Sequence, residues 1–85
     1  MLKVYSKNNC PFCDKAKHYL KTNGFEYEEV KIDETPEARE WLMAEGHRAV
    51  PQIYSNGKLL VEGGYQGLAR LTADQIQERI GATNA

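Results

Sequence analysis

No stretch of the 85-residue chain stays apolar for more than a few residues, which excludes a transmembrane helix of about 20. Neither charge sign is in excess. Lys and Arg number 11 against 12 Asp and Glu, a formal net charge of −1, so nothing drives the chain toward nucleic acid or an anionic membrane. No linker, repeat or low-complexity tract breaks it. Met1-Leu2-Lys3-Val4-Tyr5-Ser6 lacks the charged-then-apolar pattern of a secretory leader, so the expected compartment is the cytosol. Cysteine is scarce: Cys10 and Cys13 are the two in the chain. In a reducing compartment a permanent disulfide is not expected. So short a loop would gain only about 2 kcal/mol from one, against about 4.7 for a 100-residue loop. The pair is therefore read as catalytic or metal-binding.

What is present is ordinary in amount and specific in order. Hydrophobic residues make up 41% of 85 residues, which suits one domain, residues 1–85. A domain this small buries about 60% of its unfolded surface and leaves little room for a second function.

Leu2 to Ser6 alternates, with Leu2 and Val4 against Lys3 and Tyr5, and reads as a strand. Lys7-Asn8-Asn9 is a loop. Pro11 suits the first position of a helix, Ala16, Tyr19 and Leu20 give it an apolar face, and Asn23-Gly24 ends it. Phe25 to Ile32 reads as a second strand. Thr35-Pro36-Glu37 opens a second helix with Thr35 as N-cap, whose buried stripe is Ala38, Trp41 and Leu42; Gly46 stops it. Pro51 to Tyr54, Asn56-Gly57 and Lys58 to Glu62 form a hairpin on a type I′ turn. After Gly63-Gly64 the chain is helical, with Leu68, Leu71, Ile76 and Ile80 apolar. The capping box Thr72-Ala73-Asp74-Gln75 restarts the helix. The order βαβ then ββα, with a right-handed crossover in the first half, predicts an α/β, thioredoxin-like fold: a four-stranded mixed sheet flanked by helices.

A Cys-x-x-Cys that follows a strand and opens a helix is a redox signal. Cys10 falls at the N-cap, where its sulfur can accept from the free N–H groups of Phe12 and Cys13 and feels the positive end of the helix dipole. Both favour the thiolate, whose pKa in such motifs falls to about 3.5–7.5 from about 8.5. Lys7 and Lys15 add positive potential; Asp14 opposes them. Cys13, one turn in, is expected to be more buried and to resolve a mixed disulfide formed at Cys10. A structural zinc would need four ligands. The remaining candidates, His18 and His47, give the spacing C-x2-C-x4-H-x28-H, which fits no zinc-finger pattern.

Cys10-Pro11-Phe12-Cys13, Ala49-Val50-Pro51-Gln52-Ile53 and Gly63-Gly64-Tyr65 occur in that order across nearly the whole chain. Together they resemble the glutaredoxin family. The resemblance implies a cis Pro51 that sets Val50 beside Cys10, with the Val50 backbone free to pair with a substrate strand. It implies glutathione as co-substrate and no permanently bound cofactor or metal. Lys7 then looks like the residue that meets the glycyl carboxylate, assisted by Arg39 and Arg48 unless these are merely solvated. Phe12 looks like the aromatic wall, and Gly64 with Tyr65 like the turn that meets the γ-glutamyl carboxylate, although Tyr65 could equally pack in the core. Pro11, Gly63 and Gln66 complete this substrate-facing set. The sequence departs from the family at Gln66 and Gly67, where Ser, Thr or Asp and then Asp are frequent; the carboxylate that would meet the glutathione ammonium is missing.

Asp33-Glu34-Thr35-Pro36-Glu37-Ala38 followed by Gly46-His47-Arg48-Ala49-Val50-Pro51 is similar in part to NrdH-redoxins, which take electrons from thioredoxin reductase but usually carry Trp-Ser-Gly-Phe-Arg-Pro where this chain has Glu62-Gly63-Gly64-Tyr65-Gln66-Gly67. Both branches include electron donors to ribonucleotide reductase, so that enzyme and other disulfide-containing proteins are the implied partners, and a monomer is expected. A third reading is a metal module. It would hold zinc, or an iron–sulfur cluster bridged between two copies by Cys10 and glutathione.

Overall fold

The computed structural model describes residues 2–83. The alternating segment becomes β1 (Leu2–Ser6), and the rest of the sheet is built around it. β1 runs parallel to β2 (Tyr27–Lys31), in register from Leu2–Tyr27 to Ser6–Lys31. On its other side it pairs antiparallel with β3 (Gln52–Ser55), which pairs antiparallel with β4 (Lys58–Leu59). The described strands thus form one mixed sheet in the order β2-β1-β3-β4. The helices are α1 (Pro11–Thr22), α2 (Pro36–Ala44), α3 (Gly64–Ala69) and α4 (Ala73–Thr83). This is the expected thioredoxin-like α/β arrangement.

Successive strand residues face opposite sides of a sheet, and here both sides are covered. Leu2 and Val4 turn toward α1, α3 and α4, where they join Ala16, Leu20, Ile53, Leu68 and Ile76. Each fully buried side chain of this size contributes about 1.5–3 kcal/mol. Tyr5 turns the other way and packs with Tyr54 and with Leu42 of α2. Alternation had grouped Tyr5 with exposed Lys3; because α2 covers that face, Tyr5 is buried. Trp41 departs from the expected buried stripe and stays 38% exposed. It lies at the flank of the α2 face, stacked on Tyr5 at 5.3 Å and edge-on to Tyr54 at 5.0 Å.

Element ends follow their hydrogen bonds. At the end of α1 the Gly24 N–H reaches the Lys21 carbonyl (3.0 Å) and the Phe25 N–H the Leu20 carbonyl (2.9 Å), a Schellman closure. Phe25 is thereby withdrawn from the strand expected to begin there. Gly46 and His47 close α2 the same way on Met43 and Leu42. Thr35 precedes α2 as expected, but its side chain makes no capping bond; its carbonyl accepts from Ala38 and Arg39 instead. Asn56 and Gly57 both take positive φ, 52° and 78°, as a type I′ turn requires. β4 is shorter than the expected Lys58–Glu62. After the Leu60 N–H bonds the Ile53 carbonyl, Leu60 and Val61 turn into the core. The capping box forms reciprocally: the Thr72 N–H donates to Gln75 Oε1 (2.9 Å) and the Gln75 N–H to Thr72 Oγ1 (3.2 Å). It separates α3 from α4.

Candidate active site

The loop after β1 delivers Cys10 to the start of α1. Asn9 takes a positive φ of 55°, and Cys10 is the extended N-cap, with Pro11 opening the helix. The loop is tied down from a distance. The Asn8 N–H and Nδ2 donate to Asp33 Oδ2 at 3.1 and 3.0 Å, Nδ2 reaches Glu34 Oε2 at 2.6 Å, and Lys31 Nζ donates to Asn8 Oδ1 at 2.9 Å. The Asn8 backbone N–H accordingly holds the Asp33 carboxyl below the usual carboxylate range.

Cys10 and Cys13 are joined as a disulfide with Cα atoms 5.2 Å apart. The Cys13 N–H donates to Cys10 Sγ at 3.2 Å. The Phe12 N–H, also expected to donate, makes no such bond; the Cys10 sulfur sits over the third helical residue, Cys13. The pair is asymmetric: Cys10 is 7% exposed and Cys13 0%. Of the two residues, Cys10 keeps a small exposed surface and Cys13 keeps none. The free N–H groups and dipole at the start of α1 stabilise charge on Cys10 when the bond opens.

A groove of about 270 Å³ gathers most of the other residues singled out in the sequence: Phe12, Val50, Pro51, Gly63, Gly64, Tyr65 and Gln66 line it together with Ala49 and Gln52. The Val50–Pro51 peptide bond is cis. The Gln52 side chain, which sequence reasoning had not assigned, donates to the Ala49 carbonyl at 2.9 Å and braces the turn. Gly64 presses against Pro51; a Cβ there would lie 2.7 Å from the Pro51 carbonyl oxygen. Phe12 is 50% exposed. Its ring faces that of Tyr65 at 6.3 Å, tilted by 31°, so Tyr65 both packs on the core and walls the groove. Pro11 is exposed beside them. No residue lining the groove carries a charge.

Lys7 lies elsewhere. It lines a separate cleft of about 430 Å³ with Ile32, Asp33, Arg39 and Arg48, on the other side of Ala49 and Val50, which border both spaces. Gly67 explains the absent carboxylate. A Cβ at this position would lie 1.8 Å from the Glu62 carbonyl oxygen and 2.7 Å from Val61 Cγ2, so this backbone admits no side chain there.

The two histidines stand apart from the cysteines. His18 is near Thr22 Oγ1 at 3.4 Å, and His47 Nε2 lies 2.7 Å from the Tyr54 hydroxyl. The described residues hold no group of three or more Cys, His, Asp or Glu placed to ligate a metal ion.

A disulfide at the first turn of α1, whose intervening Phe12 lines a groove shared with the cis Val50–Pro51 turn of a four-stranded mixed sheet, defines a thioredoxin-fold protein of the dithiol class. The glutaredoxin family model matches residues 2–60. The chain belongs to the glutaredoxin family. It is 38% identical over 50 residues to the glutaredoxin-like protein NrdH of Salmonella typhimurium, a match covering 59% of this chain and 62% of that protein. With the NrdH of Lactococcus lactis subsp. lactis it shares 43% over 53 residues, covering 62% of this chain and 74% of the relative. Among solved structures, the NrdH-redoxin of Escherichia coli, described as having a thioredoxin-like activity profile, superposes with a TM-score of 0.70 at 27% identity over 91% of each chain. Wheat glutaredoxin superposes at 0.75 with 25% identity, over 99% of this chain and 81% of that one.

Proposed function

We propose that this chain is a dithiol–disulfide oxidoreductase that reduces protein disulfides and is recharged by a flavoprotein thioredoxin reductase. The Cys10 thiolate attacks a substrate disulfide, forming a Cys10–substrate bond and expelling the other substrate sulfur as thiolate. The Cys13 thiolate then attacks Cys10, closes the Cys10–Cys13 bond and releases the second substrate sulfur. The substrate gains two electrons and two protons, which the reductase must return to the pair. Val50, Pro51 and Gly64 form the wall along which a substrate segment lies, and Phe12, Tyr65 and Gln66 complete its groove.

The observation that carries the choice of reductant is Gly67. Its packing against the Glu62 carbonyl leaves no space for the carboxylate that would meet a glutathione ammonium. Gln66 offers only a neutral partner, and a charge-assisted hydrogen bond is about twice as strong as a neutral one. The thioredoxin-like profile of the E. coli NrdH-redoxin agrees with this reading.

Recharging by glutathione is the second reading. The cleft bearing Lys7, Arg39 and Arg48 favours it, since three cations there could hold a glycyl carboxylate. In both readings the protein is a cytoplasmic monomer, and ribonucleotide reductase is a candidate electron acceptor.

Turnover of a mixed disulfide with NADPH separates the two readings. One assay contains thioredoxin reductase, the other glutathione and glutathione reductase, with Cys10→Ser as blank. Activity with thioredoxin reductase alone is the expected result. Activity with glutathione alone overturns the choice of reductant, and no Cys10-dependent activity in either overturns the oxidoreductase reading.

A further inference from the structure

Lys15 is exposed on α1, one turn beyond Phe12. Its ammonium lies 5.4 Å from the centre of the Phe12 ring and 6.0 Å from that of Tyr65. Attraction of a cation to the faces of two rings holds it there. Among the described residues it forms no ion pair, whereas the neighbouring Lys17 is engaged by both Asp14 and Glu29. A cation outside any ion pair among the described residues thus stands over two rings, Phe12 and Tyr65, of a groove whose lining is wholly uncharged. Beyond Ala49 and Val50 the next surface is again cationic, with Lys7, Arg39 and Arg48 around the single carboxylate Asp33. This clustering is local, because the whole chain carries a formal charge of −1.

We infer that Lys15 sets substrate preference, selecting protein disulfides carried on acidic polypeptide segments. The inference rests on the disulfide-exchange reading above and names the class of protein it acts upon. The substrate strand lies along Val50, an apolar side chain covers Phe12 and Tyr65, and an Asp or Glu near the substrate cysteine meets the Lys15 ammonium. Placing that ammonium against two rings removes much of its conformational freedom before the substrate arrives, so pairing costs less entropy than for a free lysine. Lys15 acts on encounter and positioning and takes no part in the exchange itself.

The test uses pre-reduced protein in single turnover, so no reductase enters the result. Two synthetic peptides carry the same disulfide and differ only in Glu against Gln beside the reactive cysteine. At low salt the Glu peptide is expected to react about three- to fivefold faster in its second-order rate constant, the size of one exposed ion pair. The ratio falls toward one in Lys15→Gln and is kept in Lys15→Arg. It also shrinks in 0.5 M NaCl, where the screening length drops to a few ångströms. A wild-type ratio of one, or a ratio unchanged by Lys15→Gln, overturns the assignment while leaving disulfide exchange standing. Failure of both peptides to react above the Cys10→Ser blank would overturn the exchange reading, and the assignment with it.

Discussion

Gly67→Ala and Gly81→Ala make the same chemical change in two helices, and the structure assigns them opposite signs. Replacing glycine by alanine in a helix interior gains about 0.5–1 kcal/mol because less backbone freedom is lost on folding. At Gly81 in α4 nothing lies within 4 Å of the added methyl group, so that gain is expected nearly whole. At Gly67 the methyl group would lie 1.8 Å from the Glu62 carbonyl oxygen. A backbone atom cannot move aside as a side-chain tip does, so α3 must shift away from the segment it packs on. Overpacking of this kind costs about 1–3 kcal/mol, which leaves a net loss of about 1–2 kcal/mol after the helix gain is subtracted. In a domain of 85 residues, 1 kcal/mol moves Tm by about 4–8 °C. Thermal unfolding followed by circular dichroism should therefore show Gly81→Ala melting a few degrees above the parent and Gly67→Ala roughly 5–15 °C below it, by the same scaling. If the two variants moved in the same direction, the close approach at Gly67 would not exist. Position 67 would then be open to a carboxylate side chain as well.

Three further outcomes follow from the same geometry. Thr72→Ala removes one half of the capping box and should cost about 1 kcal/mol, read as a fall in the urea midpoint at constant slope; an unchanged midpoint would mean α4 starts without its cap. Burial pushes the Glu29 carboxyl up, but the Lys17 ammonium and the Ser6 hydroxyl outweigh it and hold it below its ordinary 4.5. The stabilisation is therefore complete above pH 4.5 and is lost as pH falls through the lower folded value. Urea titrations from pH 6 to 3 should show an acid-side loss of about 1 kcal/mol or less that Glu29→Gln lacks; identical profiles would refute the assignment. Cys13→Ser, mixed with a disulfide probe in the absence of free thiol, should accumulate a covalent adduct at Cys10 seen by intact mass, and an equal adduct in Cys10→Ser would place the nucleophile elsewhere.

The features legible in the sequence are those whose cause lies within a few residues. Cys10 before Pro11, Asn56-Gly57 and Thr72 with Gln75 each satisfy backbone groups next to themselves, so their spacing was enough. Tyr5 was not legible, because alternation separates a strand into two faces without saying that a helix covers both. The tie between Asn8 and Asp33 joins residues 25 apart, and no local pattern marks it. Lys15 lay between these cases. Its i, i+3 relation to Phe12 was readable, but the second ring, Tyr65, arrives from α3, 50 positions along the chain.

The placement of charge around Val50 bears on how electrons reach the pair. A tripeptide reductant has few groups to be held by, and its affinity depends on each of them. Here the cleft at Lys7, Arg39 and Arg48 can supply contacts at one end, while the groove at the other end is uncharged and Gly67 is closed to substitution. Exposed ion pairs at a single end are worth about 1 kcal/mol or less each, little against the cost of immobilising a small ligand. A protein reductase would spread its contacts over about 800 Å² of such a surface, with no single charge indispensable. The half-exposed Phe12 beside the disulfide is the kind of aromatic anchor on which such an interface concentrates its binding energy. Phe12→Ala should therefore slow recharging by thioredoxin reductase by tenfold or more, since losing an interface anchor of this type costs about 2 kcal/mol. Reaction with dithiothreitol, which needs only access to the disulfide, should change far less. Equal losses with both reductants would mean that Phe12 supports the disulfide itself and not the docking of a protein beside it.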